Sequence, residues 1–223
     1  MCKYDYAKNS QYGLLVLIVG LIVAVKGSAA IALQGANAAE GKREILTIPI
    51  AVFILVSDEG NDFMSSRRTV ESMEWHFAQV NNIWSQADIV IEPVVVRQVA
   101  APDYLLKGLS HRIGRGGIAD FFRAIHHGQI NIGRNLVRGS LTAFYVRSLG
   151  GPNGLKPLGI NTLFVADNTT VKDARVTSHE IGHNLGLYHA WRNTGSLLFS
   201  GSNGVVLTET EQSVARYNAR RFL

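Results

Sequence analysis

The amino-acid sequence predicts a mixed α+β domain with a twisted sheet of four or five strands, and three observations carry that expectation. The run Ile45–Val56 (ILTIPIAVFILV) is apolar without alternation, as in a strand covered on both faces. After it comes a stripe of apolar residues at steps of three and four, the mark of an amphipathic helix. Three further apolar, β-rich runs follow, separated by turn and helix signals rather than arranged as a repeat.

Taken in order, the chain opens with Lys3 and Lys8. Leu14–Val25, twelve residues with no polar side chain, come next and are closed by Lys26 and small residues. That is the pattern of a secretory signal peptide. A bilayer-spanning helix takes about 20 apolar residues. The charge-free stretch between Lys8 and Lys26 holds seventeen residues, and the first five are polar or glycine, so a retained anchor is the competing reading. Small residues stand at the −3 and −1 positions at Ser28/Ala30 and again at Ala36/Ala38, which puts the mature start near residue 31 or 39. The expected division is a signal peptide at 1–30, a small and polar linker at 31–44, and one domain at 45–223. The single cysteine, Cys2, falls in the segment to be removed, so export to an oxidising compartment carries no risk of mispairing.

Within the domain, β-branching in Ile45–Val56 disfavours a buried helix, and Pro49, with no N–H, confines full ladder pairing to the residues beyond it. Between Arg67 and Ala87 the stripe is Val70, Met73, Phe77, Val80 and Trp84, a core-facing surface rather than a cofactor box. Ile89–Val96, Leu141–Val146 and Ile160–Ala166 read as the remaining strands. Ile118, Phe121, Phe122 and Ile125 indicate a short helix ending at Gly128, and Gly150–Gly154 (GGPNG) is a loop. Thr208–Glu211 forms a capping box that opens a last helix running toward Arg221.

Composition narrows the function classes. With 47% hydrophobic and 17% charged residues the chain can bury a core without staples, which excludes a disordered tail. The formal charge of +5 suggests a polyanion partner, but two of those charges lie in residues 1–38 and the rest are interspersed with acids. No nucleic-acid partner is therefore expected.

The chemistry is concentrated in residues 179–189, HEIGHNLGLYH. His179 and His183 stand one helical turn apart on the same face, where both imidazoles can reach one ion, and Glu180 sits beside the first of them. Val171–Ser178 contains neither Pro nor Gly and carries Asp173 early, so the histidines are placed on a helix. Gly186 can take a positive φ, end that helix and turn the chain so that His189 supplies a third nitrogen. Three neutral imidazoles with one position open describe a catalytic zinc site, whereas a structural site is closed by a fourth side chain. From the chain's own residue frequencies, a chance match at these five fixed positions is on the order of a few in a hundred thousand.

This eleven-residue stretch resembles, at every fixed position, the zinc-binding motif of the metzincins, the superfamily of zinc endopeptidases that includes astacins, serralysins, reprolysins and matrix metalloproteinases. The likeness extends more loosely over residues 45–223. Val80–Ala87 and the strand after it look like the end of the long first helix and the second strand of such domains. Ile160–Ala166 looks like their substrate-binding edge strand, and Leu207–Arg216 like their last helix. The resemblance implies a metzincin-like catalytic domain with one catalytic Zn2+ held by His179, His183 and His189, and with Glu180 as the general base. Protein or peptide substrates would lie along the edge strand, and Leu197–Val206 would wall the pocket for the side chain after the cut, with an apolar preference. Two positions depart from the family. No methionine follows Met73, so the methionine turn beneath the zinc is matched by Leu198 or Leu197, and Phe199 and Ser200 leave no tyrosine there. Exchange of Leu for Met typically costs under about 1.5 kcal/mol in a core, so a formed site is expected. Ala190 matches none of the four families' typical residue, and no subfamily is assigned.

The remaining candidates have plainer readings. His126 and His127 suit a helix C-terminus, and His76 and His111 read as surface residues. Arg112–Gly117 (RIGRGG) lacks the Lys-Ser/Thr of a phosphate loop, Ser148–Pro157 offers no carboxylate to calcium, and Asn168–Thr170 fits a glycosylation acceptor. The expected function is thus a secreted zinc-dependent endopeptidase. The alternative is a zinc-binding interaction protein that keeps the fold but hydrolyses little. A zinc hydrolase acting on another amide is a third, more distant reading.

Overall fold

The computed structural model describes residues 43–112, 116–133 and 139–223. The expected signal peptide and all but the last two residues of the expected linker lie outside them, as do residues 113–115 of the RIGRGG stretch.

Among the described residues ten strands and α-helices follow one another. Strand β1 (Leu46–Ser57) leads to helix α1 (Val70–Trp84), strand β2 (Ile89–Ala101) and helices α2 (Asp103–Arg112) and α3 (Gly117–His126). Then come strands β3 (Leu141–Val146), β4 (Gly154–Leu155) and β5 (Thr162–Ala166), followed by helices α4 (Asp173–Asn184) and α5 (Glu209–Ala219). The five strands form one sheet in the order β2-β1-β3-β5-β4, parallel throughout except for β4 against β5. Among the described residues no helix is long and apolar enough to cross a membrane.

The continuous apolar run of β1 is explained by its place near the middle of this sheet. Leu46, Ile48, Ile50, Val52 and Ile54 point to one face and Ala51, Phe53 and Leu55 to the other, so period-two alternation distributes apolar residues to two cores. β1 pairs with β2 from Leu46 onward but with β3 only from Ile50, so two-sided pairing does begin just past Pro49. Val94 is skipped in the β1–β2 register next to Pro93, a bulge at the one residue of β2 that has no N–H to donate.

The first face carries α1, α4 and α5. Met73, Phe77, Val80 and Trp84 of α1 are buried there, as the apolar stripe predicts, whereas Val70 in the first turn is exposed, and Thr69 with Ser72 caps the helix reciprocally. His76 belongs to the same stripe and is buried, not on the surface as its residue type suggests. Its Nε2 lies 2.9 Å from Thr177 Oγ1 and 3.1 Å from the Tyr145 hydroxyl, so the ring is satisfied inside the core. Arg68 closes this network at its outer end. It pairs with Asp167 at 3.3 Å and Asp173 at 3.0 Å, and its guanidinium lies 4.8 Å from the centre of the Tyr145 ring. The opposite face carries α2 and α3 on a ladder of Phe53, Phe144 and Phe164, which are aligned in register across β1, β3 and β5.

Two expectations change. β2 runs five residues beyond Val96, and Ile160–Ala166 is not the edge of the sheet. β5 is flanked by β3 on one side and by the two-residue antiparallel strand β4 on the other, so the chain returning through the Gly150–Gly154 loop forms the edge.

Candidate metal centre

Helix α4 presents the histidines because it is enclosed on nearly every side. Nine of its twelve residues are buried, from Arg175 through Asn184 with only His183 half-exposed among them. Asp173 in its first turn suits the positive end of the helix dipole and is tied to Arg68. The helix ends as the sequence predicts. Gly186 takes φ 81°, its N–H reaches the His183 carbonyl at 3.2 Å, and the Leu187 N–H reaches the Gly182 carbonyl at 2.9 Å. This is the paired bonding of a Schellman turn, which needs a left-handed residue at that one position. A side chain there would also run into Asn218 of α5, 2.8 Å from where its Cβ would stand.

The turn brings His189 back to the helix. The three Nε2 atoms are mutually 3.1, 3.1 and 3.2 Å apart, for the pairs His179–His183, His183–His189 and His179–His189 respectively. The other nitrogens settle what those contacts are. His179 Nδ1 lies 2.8 Å from the Leu197 carbonyl and His183 Nδ1 lies 2.8 Å from the Leu187 carbonyl, so each of these rings carries its proton on Nδ1 and turns a lone pair inward. Lone pairs facing one another at this distance repel unless a cation lies between them. Zn–N bonds of about 2.0–2.1 Å in tetrahedral directions put ligand nitrogens about 3.3 Å apart, close to the spacing observed. Burial also holds two of the rings neutral: it pushes His179 down to about 4, against its carbonyl hydrogen bond, and lowers His183 as well. Three histidines that can hold a metal ion are therefore in place.

Glu180 is buried beside them, and burial pushes its carboxyl up to about 8, opposed by the charge of Arg175. The edge strand comes very close to it. A Cβ on Gly154 would stand 2.8 Å from Glu180 Cγ and Oε1 and equally close to Val176, so only a glycine lets β4 pass over this carboxylate. Between them lies a cleft of about 250 Å3 whose walls include Gly154, Arg175, His179, Glu180, His189 and Ser200.

Beneath the histidines runs the segment Ser196–Phe199. Leu198 is fully buried, with its methyl carbons 3.3 and 3.5 Å from the Cβ position of Gly182, so Leu198 is the residue packed under the helix that carries His179 and His183. Leu197 contributes its carbonyl, which accepts from His179 and, at 2.7 Å, from Arg175 Nη2. The expected apolar wall is not found. Val205 and Val206 are partly exposed, Leu198 faces the core, and the cleft meets Ser200, Gly201 and the Arg175 guanidinium instead. Arg175, Gly154 and the Leu187 and Leu197 carbonyls are the parts of the site that sequence reasoning did not single out. Arg175 alone carried a signal, being a charged residue one helical turn before the first histidine.

His126 and His127 end α3 as expected, and His111 is exposed. Compared with known proteins, the chain matches no family profile and no curated protein.

Proposed function

We propose that the protein is a zinc-dependent endopeptidase with a metzincin-like catalytic domain, exported by its N-terminal apolar segment. The observation that carries this reading is the convergence of three Nε2 lone pairs within 3.2 Å on the wall of a cleft that also contains a buried carboxylate. Zinc fits the all-imidazole donor set better than calcium or magnesium, which take oxygen ligands. His179, His183 and His189 would hold it, and when bound it would supply Lewis acidity and a water acidified toward neutral pH.

The chain's own residues account for the remaining steps. The Leu197 and Leu187 carbonyls fix the tautomers of His179 and His183, the outer support on which such ligands depend. Glu180, buried in the cleft wall beside His179, is the carboxyl placed to accept a proton there. Glu180 takes one proton from the attacking water as its oxygen bonds to the peptide carbonyl carbon. Glu180 then gives a proton to the departing amine nitrogen as the C–N bond breaks, so the water is divided between the new carboxyl and amine ends. An extended substrate would pair with the free side of β4, the edge adjoining the cleft, which favours cutting within a chain over trimming its ends.

The test combines zinc stoichiometry with cleavage of unfolded casein. The wild type is expected to bind zinc and cleave, while Glu180→Ala binds zinc and loses about 10²–10⁴-fold in rate. Zinc binding with no turnover in either protein would replace the enzyme by the alternative, a zinc-binding interaction protein. Leu198 at the position of the family's methionine is the feature that favours that alternative.

A further inference from the structure

The cleft is lined by a buried arginine that makes no close ion pair among the described residues. Arg175 lies on α4 one turn before His179 and is only 4% exposed, yet it lines the same cleft as Glu180 and His189. Its Nε donates to the Gly204 carbonyl at 3.3 Å and its Nη2 to the carbonyls of Leu197 and Phe199. Neutral acceptors hold it in place, and burial lowers its pKa against the longer-range charge of Glu180. Among the described residues no carboxylate forms an ion pair with it within 4.0 Å. A buried cation without a hydrogen-bonded carboxylate is costly, and a ligand carboxylate that reached it would gain a charge-assisted hydrogen bond in a confined site.

The chemistry of Glu180 says which part of a substrate arrives there. The nitrogen that receives its proton belongs to the residue immediately after the scissile bond, so the side chain of that residue is the one nearest the cleft lined by Glu180 and Arg175. Resting on the endopeptidase reading above, we propose that this cleft selects an acidic side chain, so that the enzyme cuts on the amino side of Asp or Glu. Arg175 is the specificity-determining residue. This replaces the apolar preference that Leu197–Val206 suggests in the sequence.

The inference is tested on zinc-loaded protein in two arms. In the first, peptides differing only in the residue after the cut are compared by kcat/KM, and Asp or Glu is expected to exceed Asn, Gln, Ala and Leu by about 10- to 100-fold, the scale of a hydrogen bond to a charged group. In the second, calorimetry on the zinc-loaded Glu180→Ala protein compares product-like peptides beginning with Asp or Asn, and tighter binding of the Asp peptide is expected without any turnover. Arg175→Gln should erase both differences. Because Arg175 also supports two carbonyls under the site, Ser200→Asp provides a second variant. It adds a competing carboxylate to the cleft wall and should erase the preference with the Arg175 contacts intact. Cleavage or binding indifferent to acidic residues in the wild type overturns the inference and leaves the endopeptidase reading standing. Absence of cleavage of every peptide overturns that reading, while the calorimetric arm still decides whether the cleft prefers a carboxylate.

Discussion

The two faces of the sheet are built on opposite plans. Behind β1, β3 and β5, the face toward α2 and α3 is apolar and aromatic. Phe144 stacks on Phe53 at 5.5 Å and on Phe164 at 5.2 Å, and Phe121 meets Phe144 and Phe164 edge-on at 5.0 and 5.5 Å. On the other face one residue along β3, Tyr145, joins His76 and Thr177 in a buried polar network, and α4 carries the histidines and Glu180. Buried polar groups are tolerable only when each finds a partner, so the reactive face needs tightly specified geometry, while the aromatic face needs shape and volume. The contrast shows a division of labour within one sheet: one side supplies stability that does not depend on chemistry, and the other uses it to hold groups water would otherwise claim.

Substitutions on each face sharpen that comparison. The largest effect is expected from His183→Ala. Elemental analysis should show loss of the metal, and activity should fall by more than the roughly 10–100-fold that loss of an outer-shell partner costs, while the Phe ladder keeps the chain folded. On the other side, Phe144→Ala should cost about 3–5 kcal/mol in urea unfolding, with zinc affinity unchanged wherever the protein remains folded. A Phe144 variant that stays stable but loses zinc would break the division.

Smaller effects follow from the polar network. His76 is pushed down from 6.5 to about 4, first by burial, then by the charge of Arg68, with Asp173 opposing. Its neutral ring therefore favours the fold above pH 6.5. As the pH falls from 6.5 toward 4 the unfolded chain takes up the proton and the folded chain does not, so stability is lost in that window, by about 3 kcal/mol at 1.36 kcal/mol per unit. Tyr145, pushed up to about 12, stays protonated throughout. Between pH 7 and pH 4.5 the wild type should lose more unfolding free energy than His76→Gln does, by most of that amount, and equal losses would remove His76 from the account. The smallest change is expected for Leu198→Met, a swap of similar volume under α4, which should shift stability by less than about 1.5 kcal/mol and leave metal binding intact.

Much of this was legible in the residues. Continuous apolar β1 reads as doubly covered, the spacing from Val70 to Trp84 reads as a core-facing helix, and HEIGHNLGLYH already groups the three histidines that the fold brings within reach of one another. What escaped did so for physical reasons. α2 has its core contacts at Leu105, Leu106 and Leu109, too short a stripe around Gly108 to stand out. β2 continues through Arg97 and Gln98 because a strand at the sheet edge keeps one side in water. A two-residue strand such as β4 has no period to detect, and its place beside β5 is a tertiary fact. His76 sits in the α1 stripe at i+3 from Met73, but its residue type argued for solvent and only its partners on β3 and α4 reverse that. The close fit of Gly154 to Glu180 joins residues 26 positions apart, which no local pattern encodes.

The carbonyl of Leu197 receives both a ligating imidazole and the guanidinium at the base of the cleft. Redesigning that base for a different side chain thus disturbs the aim of the first histidine through one shared oxygen atom. Variants at residue 175 should carry compensating changes in residues 196–199, because the cleft and the first histidine share one anchoring atom.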